Sequence, residues 1–263
     1  AKINKQNPNK GSILVNLVMS FSNSEKSIYT NNDNFEHLAL NLFRQQYKTV
    51  EVYRKFIEII GVKPNEVKKL IDIPFLPIGF FKNYEIKNGN YNAELTFLSS
   101  STTGIGQSKH LVKTKENYIQ SFIECFNHFF GDYREYCYLA LLPSYLERQG
   151  SSLIYMMDFF IKSSNYKESG YYLYNHQELA EKILENEKNA IPTFLFGVSF
   201  ALLDFSEKYQ FEDLKYTKIM DTGGMKGRRK EIVLEEFHHI LKNAFGVDRI
   251  YSEYGMTELM SQA

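Results

Sequence analysis

Apolar residues that recur every three or four positions predict helices along much of the chain. The strongest pattern covers residues 34–60, where Asp33 or Asn34 can cap the start and Gly61 the end. Residues 1–33, rich in Asn, Ser and Lys, predict a loosely ordered lead-in. Further helices are predicted at residues 115–130, 151–162, 176–187, 198–209 and 228–244.

Short apolar runs between these helices predict strands at residues 95–98, 136–142, 193–196, 216–220 and 249–252. Residues 73–81, with prolines before and within them, are expected to be extended. The alternation of strand, loop and helix predicts an α/β fold with a largely parallel sheet flanked by helices. We expect three regions: the lead-in 1–33, a helical N-terminal region 34–93, and an α/β core 94–263.

Three polar or glycine-bearing loops follow predicted strands, at residues 99–106, 221–227 and 253–258. The carboxyl ends of parallel strands meet at one edge of a sheet, and ligands bind there. We therefore expect the three loops to converge on one edge.

Charge and cysteine content limit the classes of partner. Lys+Arg and Asp+Glu both total 31, so no overall field attracts nucleic acid or an anionic membrane surface, and any anion site must be local. The apolar run at residues 13–19 is too short for a membrane span and lacks a cleavage site, which favours a cytoplasmic protein. Cys125 and Cys137 form no ligand cluster and are expected to be half-buried thiols.

The first loop carries five successive hydroxyl side chains, residues 99–103, followed by Gly104 and Gly106. Hydroxyls and loop amides donate hydrogen bonds, glycine lets amides approach an anion, and Lys109 adds positive charge. This composition suits a polyphosphate, although a solvated Ser/Thr-rich turn has the same appearance. The loop is not a Walker A motif, because the spacing G-x-x-x-x-G-K-[ST] does not occur.

The second loop pairs Gly223 with Gly224, which would let a flat ligand approach the backbone. Four cations between residues 226 and 230 then stand at the predicted start of a helix. The helix dipole disfavours cations there unless an anion binds nearby. The alternative is a solvated basic turn balanced by the three glutamates that follow, up to residue 236.

The third loop supplies an aromatic ring, a hydroxyl and a carboxylate: Tyr254 for stacking, Thr257, and Glu258 as a hard oxygen ligand for Mg²⁺. The alternative is an ordinary strand-to-helix turn in which Glu258 is solvated.

Taken in order over residues 70–263, the loops resemble those of the adenylate-forming superfamily of acyl-CoA synthetases, luciferases and peptide-synthetase adenylation domains. They match its phosphate loop, its Gly-Gly segment and its Tyr-Gly-x-Thr-Glu motif. Within that superfamily the chain resembles the acyl-protein synthetase (LuxE-type) family, which is related to phenylacetate-CoA ligases. The segments that carry this resemblance are residues 73–82, 103–110, 223–227 and 254–262.

The resemblance implies ATP and Mg²⁺ as cofactors. Gly223 and Gly224 would border the adenine, Tyr254 would stack on it, Thr257 would contact the α-phosphate and Glu258 would hold Mg²⁺. Lys109 and His110 match the family's pattern without an assigned role, and they join Thr257 and Glu258 as candidate catalytic residues. The implied ATP-binding set is Ser99, Ser100, Ser101, Thr102, Thr103, Gly104, Gly223, Gly224, Met225, Tyr254 and Gly255.

The activity implied is ATP-dependent activation of a carboxylic acid, with a fatty acid favoured, to acyl-AMP. The acyl group would then pass to a protein cysteine or another thiol, with an acyl-reductase or acyl-carrier protein as partner. Ser101 replaces a glycine that the family usually has. The ribose-binding Asp, the C-terminal lid with its catalytic Lys, and the late acceptor Cys are not found within the 263 residues, so we expect the chain to comprise the N-terminal core of such an enzyme, without a lid.

Three alternatives remain open. One is a non-catalytic nucleotide- or acyl-binding module or inactive fragment, and another is an aryl- or acyl-CoA ligase. The third is an unrelated phosphate-binding α/β protein such as a kinase. The apolar residues 153–160 would line an acyl pocket or form an ordinary core helix, and the second interpretation is favoured.

Overall fold

The computed structural model describes residues 35–99, 106–142, 150–225 and 227–260. They divide into two compact units. The first unit runs to Cys125 and resumes at Gly255, and the second unit is Phe126–Tyr254. Within the described ranges, no helix combines the length and apolar character that crossing a bilayer requires.

The described part of the first unit begins with two helices, α1 (Phe35–Thr49) and α2 (Glu51–Ile59), where the sequence predicted one. The prediction was wrong at Val50, whose extended backbone (φ −107°, ψ 99°) separates the helices. Val50 is buried in one cluster with Tyr53 and Ile57, so tertiary packing offers a reason for this break, which neither glycine nor proline marks. The predicted stop is confirmed: Gly61 adopts φ +72° just after α2.

The proline-bearing segment is irregular over residues 73–77 and then forms a short helix, α3 (Phe80–Asn83). The prediction of extended chain up to residue 81 was therefore wrong at its end. The amide of Phe80 donates to the carbonyl of Pro77 at 3.0 Å, and the ring of Phe80 packs against that of Phe56, with centroids 5.9 Å apart. A turn and an aromatic contact thus override the local extended preference.

A two-stranded antiparallel sheet also belongs to the first unit. Its strands are β1 (Leu95–Leu98) and β2 (Lys109–Val112), with Leu98 opposite Lys109. The prediction of β1 is confirmed, but β1 does not join the parallel sheet. Strand β2 was not predicted, because no residue that ends a loop separates its four residues from the polar loop before them. The first loop therefore connects a hairpin, which corrects the expectation that all three loops lie at one sheet edge.

Helix α4 (Lys115–Phe130) contains the boundary between the units. The second unit is an α/β structure with a five-stranded parallel sheet in the order β4-β3-β5-β6-β7, which confirms the predicted fold class. Its strands are β3 (Cys137–Leu141), β4 (Gly170–Tyr171), β5 (Thr193–Gly197), β6 (Thr217–Asp221) and β7 (Ile250–Ser252). Every residue of β3 and β5 is buried, as expected for central strands covered on both faces.

The helices of this unit are α5 (Ser152–Ser163), α6 (His176–Lys188), α7 (Ser199–Ser206) and α8 (Leu234–Phe245). On α5, Met157 and Phe160 are buried, and the ring of Phe160 stacks on that of Tyr138 with centroids 5.2 Å apart. This agrees with the interpretation of α5 as a core helix. The prediction that α8 begins at residue 228 was wrong, because residues 227–233 are not helical.

Candidate functional site

The two ends of the first loop are joined by hydrogen bonds. The amide of Ser99 donates to the carbonyl of Ser108 at 3.0 Å, and the amide of Ser108 donates to Oγ of Ser99 at 2.9 Å. Gln107 adds a side-chain bond to the carbonyl of Ser99 at 3.1 Å. The hydroxyl of Ser99 thus closes the loop. The other predicted phosphate-binding residues of this loop lie outside the described residues: Ser100, Ser101, Thr102, Thr103 and Gly104.

Two candidate catalytic residues follow on β2 with opposite environments. Lys109 is exposed, whereas the side chain of His110 is buried and its Nδ1 lies 2.9 Å from the carbonyl oxygen of Thr257. A carbonyl only accepts, so Nδ1 carries the proton. Burial lowers the pKa of His110 to about 4, against smaller raising effects from the backbone of Thr257 and Leu259 and the charge of Glu258. His110 is therefore neutral at physiological pH and ties β2 to the third loop.

The third loop crosses the boundary between the units. Tyr254, 60% exposed, is the last residue of the continuous stretch that forms the second unit, and the exposed Gly255 begins the returning segment of the first. A turn follows, in which the amide of Leu259 donates to the carbonyl of Met256 at 3.0 Å. Thr257 and Glu258 are half-buried in it.

Metal binding was predicted at Glu258 alone. In the parts of the chain that the structure describes, no group of three or more His, Cys, Asp or Glu side chains could hold a metal ion. Mg²⁺ commonly uses one or two carboxylates and takes its remaining ligands from phosphate and water. A single half-buried carboxylate therefore fits an Mg²⁺ ion that arrives with a nucleotide.

The second loop begins at Asp221, the last residue of β6, which is only 3% exposed. Its Oδ1 accepts from the hydroxyl of Ser199 at 2.8 Å and from the amide of Gly223 at 3.0 Å. Gly223 and Gly224 adopt φ of +76° and +89°, which favours glycine at both positions. Burial raises the pKa of the Asp221 carboxyl, while the two hydrogen bonds and the nearby His238 oppose that rise.

The register places Leu141, Gly197, Asp221 and Ser252 side by side at the carboxyl edge of the sheet. The amide of Glu253 donates to the carbonyl of Asp221 at 2.7 Å. The second loop and the start of the third therefore meet at this edge, as predicted for those two. Met225, predicted to bind the cofactor, is buried, whereas Gly224 is exposed.

Sequence reasoning did not single out Ser199 or His238. Ser199 is the first residue of α7, and His238, near the start of α8, lies with Nε2 3.3 Å from Oγ of Ser252. No motif marks either residue. The available signal was positional: both lie near the amino ends of helices in the strand-and-helix alternation, and such ends lie at the carboxyl edge of a parallel sheet.

Two cations of the basic run contact α7 or its end instead of standing at a helix start. The guanidinium of Arg229 donates from Nε to Asp204 at 2.7 Å and forms two bonds to Glu207 at 2.7 and 2.8 Å. The guanidinium carbon of Arg228 lies 4.9 Å from the ring centroid of Phe200. Arg229 is thus neutralised by carboxylates of α7 or its end and not by the glutamates that follow it, which corrects both interpretations for this one residue. Arg228 and Lys230 are exposed in a non-helical segment, as the solvated-turn interpretation expects.

Replacing Arg229 by methionine is expected to lower the free energy of unfolding by about 1 kcal/mol, the upper range for a partly exposed ion pair with good geometry. The change keeps an unbranched side chain but leaves Asp204 and Glu207 without this cation. Urea denaturation measures the difference, and Lys230→Met, at an exposed neighbouring position, is the control. Equal denaturation midpoints for the two variants would show that the pairing contributes no stability.

The chain's two cysteines, Cys125 and Cys137, are both buried and free. Burial raises the pKa of the Cys125 thiol to about 11 and also raises that of Cys137. The thiolate is the nucleophilic form, so neither side chain is suited to accept an acyl group. Half-buried thiols were expected, and the structure buries both of them more deeply than that.

Comparison with known proteins gives one family. A profile described as "Acyl-protein synthetase, LuxE" matches residues 1–143, more than half of the chain. The match includes the first loop and its hairpin, as well as residues 1–33, in which the sequence reasoning had found no family motif. The second and third loops lie outside it. No curated protein matches the chain. The chain belongs to the LuxE family of acyl-protein synthetases, which are ligases.

Proposed function

We propose that this protein activates a carboxylic acid, preferably a fatty acid, with ATP to form acyl-AMP, and that the acyl group then passes to a thiol. The observation that carries the proposal is that two predicted nucleotide-binding segments of the first unit, the first loop and the turn with Thr257 and Glu258, are both hydrogen-bonded at β2. Ser108, just before β2, closes the first loop, and His110, on β2, holds the carbonyl of Thr257. The predicted phosphate-binding loop and the predicted Mg²⁺ carboxylate are thus attached at neighbouring positions.

In the proposed step a carboxylate oxygen of the acid attacks the α-phosphorus of ATP. The bond from that phosphorus to the bridging oxygen breaks, and pyrophosphate leaves with the electron pair. Such a reaction depends on positioning and on stabilisation of charge. The hydroxyls and amides of the first loop would hold the leaving pyrophosphate, and Thr257 would contact the α-phosphate. A bound Mg²⁺ ion, held through Glu258, supplies positive charge that neutralises the phosphates.

The predicted adenine-side residues have features that suit a nucleotide base. Gly223 and Gly224 have no side chain to keep a flat base from the backbone, and their positive φ values agree with a role for glycine there. The exposed ring of Tyr254 offers a face for stacking. These features support a nucleotide ligand.

The thiol that receives the acyl group is proposed to be a protein cysteine other than Cys125 and Cys137, or another thiol, and the proposed partner is an acyl-carrier protein or an acyl-reductase. Both cysteines of this chain are buried, which argues against them as acceptors. Coenzyme A is the alternative acceptor and would make the protein an acyl- or aryl-CoA ligase.

A second candidate function is a module that binds nucleotide or acyl groups without catalysis. Ser101 favours it, because it adds a side chain where the resemblance expects a glycine in the phosphate loop. This module would bind ATP and not form acyl-AMP.

ATP–pyrophosphate exchange separates the candidates. The protein, together with any residues that follow position 263, is incubated with ATP, Mg²⁺, labelled pyrophosphate and a panel of short, medium and long straight-chain fatty acids, benzoate and phenylacetate. We expect exchange that requires both an acid and Mg²⁺ and is fastest with a fatty acid. ATP binding by calorimetry without exchange for any acid would replace the enzyme proposal by the module. Failure to bind ATP would overturn the enzyme proposal and the nucleotide-binding form of the module.

A further inference from the structure

Asp221 contacts both segments that carry the predicted adenine-side residues. Its carboxylate accepts the amide of Gly223 at 3.0 Å, and its main-chain carbonyl accepts the amide of Glu253, the residue before Tyr254, at 2.7 Å. It is buried at the end of β6. The same residue therefore holds the start of the glycine turn and the start of the segment that leads to the tyrosine.

The carboxylate is itself held in place. The hydroxyl of Ser199, at the start of α7, donates to the same Oδ1 at 2.8 Å. The amide of Thr222, between Asp221 and Gly223, donates to the carbonyl of Gly197 at 3.0 Å. A Gly-Gly segment is otherwise free to adopt many conformations, so these bonds select the one that the structure has.

We propose, on the basis of the proposed ATP-dependent function, that Asp221 is a positioning residue for the adenine end of the nucleotide and that Ser199 orients its carboxylate. Asp221 touches neither the nucleotide nor the acid. It acts by keeping the backbone of Gly223 and Gly224 in a single conformation against which a base can lie. A binding surface ordered before the ligand arrives loses less conformational entropy on binding.

The test compares two ligands that share phosphates and differ in the base. Isothermal titration calorimetry with Mg²⁺ measures the affinity for ATP and for inorganic tripolyphosphate. Asp221→Ala is expected to weaken ATP binding about tenfold, the effect of losing one ordering hydrogen bond acceptor, and to leave tripolyphosphate binding unchanged. In exchange assays the KM for ATP should rise by a similar factor, while the KM for pyrophosphate and kcat stay within about threefold.

Conservative and control variants make the result specific. Asp221→Asn keeps an oxygen that can accept from Ser199 and Gly223, so its ATP affinity should return to within about threefold of wild type. Ser199→Ala should weaken ATP binding by a smaller factor than Asp221→Ala. Ser206→Ala, at the other end of α7, removes a buried hydroxyl that donates to the carbonyl of Leu203 in the same helix, and it should change neither affinity. If Asp221→Ala does not fold, the test compares the ATP affinity of Ser199→Ala with that of Ser206→Ala.

The outcomes separate this inference from the proposed function. If the wild-type protein does not bind ATP, the proposed function fails, and the inference fails with it. If the wild-type protein binds ATP and the folded Asp221→Ala or Ser199→Ala variant keeps the wild-type ATP affinity, only the role of Asp221 is overturned. An equal loss of affinity for both ligands would show a general structural role and would also overturn it.

Discussion

Replacing Glu258 by glutamine is expected to slow Mg²⁺-dependent ATP–pyrophosphate exchange about 100-fold, as losses of a charge-stabilising group at a transition state commonly do. Glutamine has nearly the same shape but no negative charge, and Mg²⁺ prefers carboxylate oxygen. The contact that holds this turn to β2 uses the carbonyl of Thr257 and not the side chain of Glu258. The substitution should therefore remove the proposed metal ligand and keep the backbone of the turn.

The loss should be partly reversed by raising the Mg²⁺ concentration, because the variant binds the ion more weakly. Exchange rates over a Mg²⁺ titration measure this. Glu116→Gln is the matched control, since Glu116 is an exposed carboxylate in the first turn of α4 with only a 3.8 Å contact to Lys115. A Glu258→Gln variant with the rate and Mg²⁺ dependence of this control would contradict the assignment of Glu258.

Four strands of the second unit, β3, β5, β6 and β7, were predictable because buried parallel strands are continuous apolar runs between residues that end them. The two-residue strand β4 (Gly170–Tyr171) was not predicted. Residues 193–196 were predicted as a strand, and β5 is Thr193–Gly197, between Pro192 and the start of α7. The same reasoning missed β2, a four-residue strand whose partner is β1. Pairing across a hairpin creates that strand, and no periodicity within four residues reports it.

Positions at the carboxyl edge of the sheet were predictable, but their hydrogen bonds were not. The sequence indicated that loops after β6 and β7 lie at one edge, because parallel topology requires it. It did not indicate that Ser199 donates to Asp221, 22 positions away, or that His110 reaches the carbonyl of Thr257, 147 positions away. These contacts depend on how helices and loops dock, which residue type and spacing do not encode locally.

The basic run shows the same limit for charge. Four cations within five residues suggested an anion site or a solvated turn. The structure pairs Arg229 with two carboxylates of α7 or its end, about one loop and one strand earlier in the chain. The number of charges along the sequence does not show which cations are available to bind an anionic ligand and which are paired with carboxylates in the folded protein.

Acidification is expected to destabilise the first unit through His110. Burial lowers the pKa of its imidazole from 6.5 to about 4, so the unfolded chain takes up a proton at a pH at which the folded chain does not. The stabilising contribution is complete above the unfolded pKa and is lost as pH falls from about 6.5 towards 4. From about pH 7 to about pH 5 the loss should be about 2 kcal/mol, since one pKa unit corresponds to about 1.4 kcal/mol.

His110→Asn isolates this contribution. The asparagine Nδ2 can donate to the carbonyl of Thr257 as the imidazole Nδ1 does, but it does not titrate. We therefore expect the free energy of unfolding, measured with urea in EDTA without nucleotide, to fall less steeply with acid in this variant.

His37→Asn is the control, because His37 is an exposed histidine of the same unit. Since Glu258 raises the His110 pKa and so opposes the effect of burial, Glu258→Gln should steepen the wild-type pH dependence. Parallel pH profiles for wild type and His110→Asn would mean that the histidine is not buried in its neutral form.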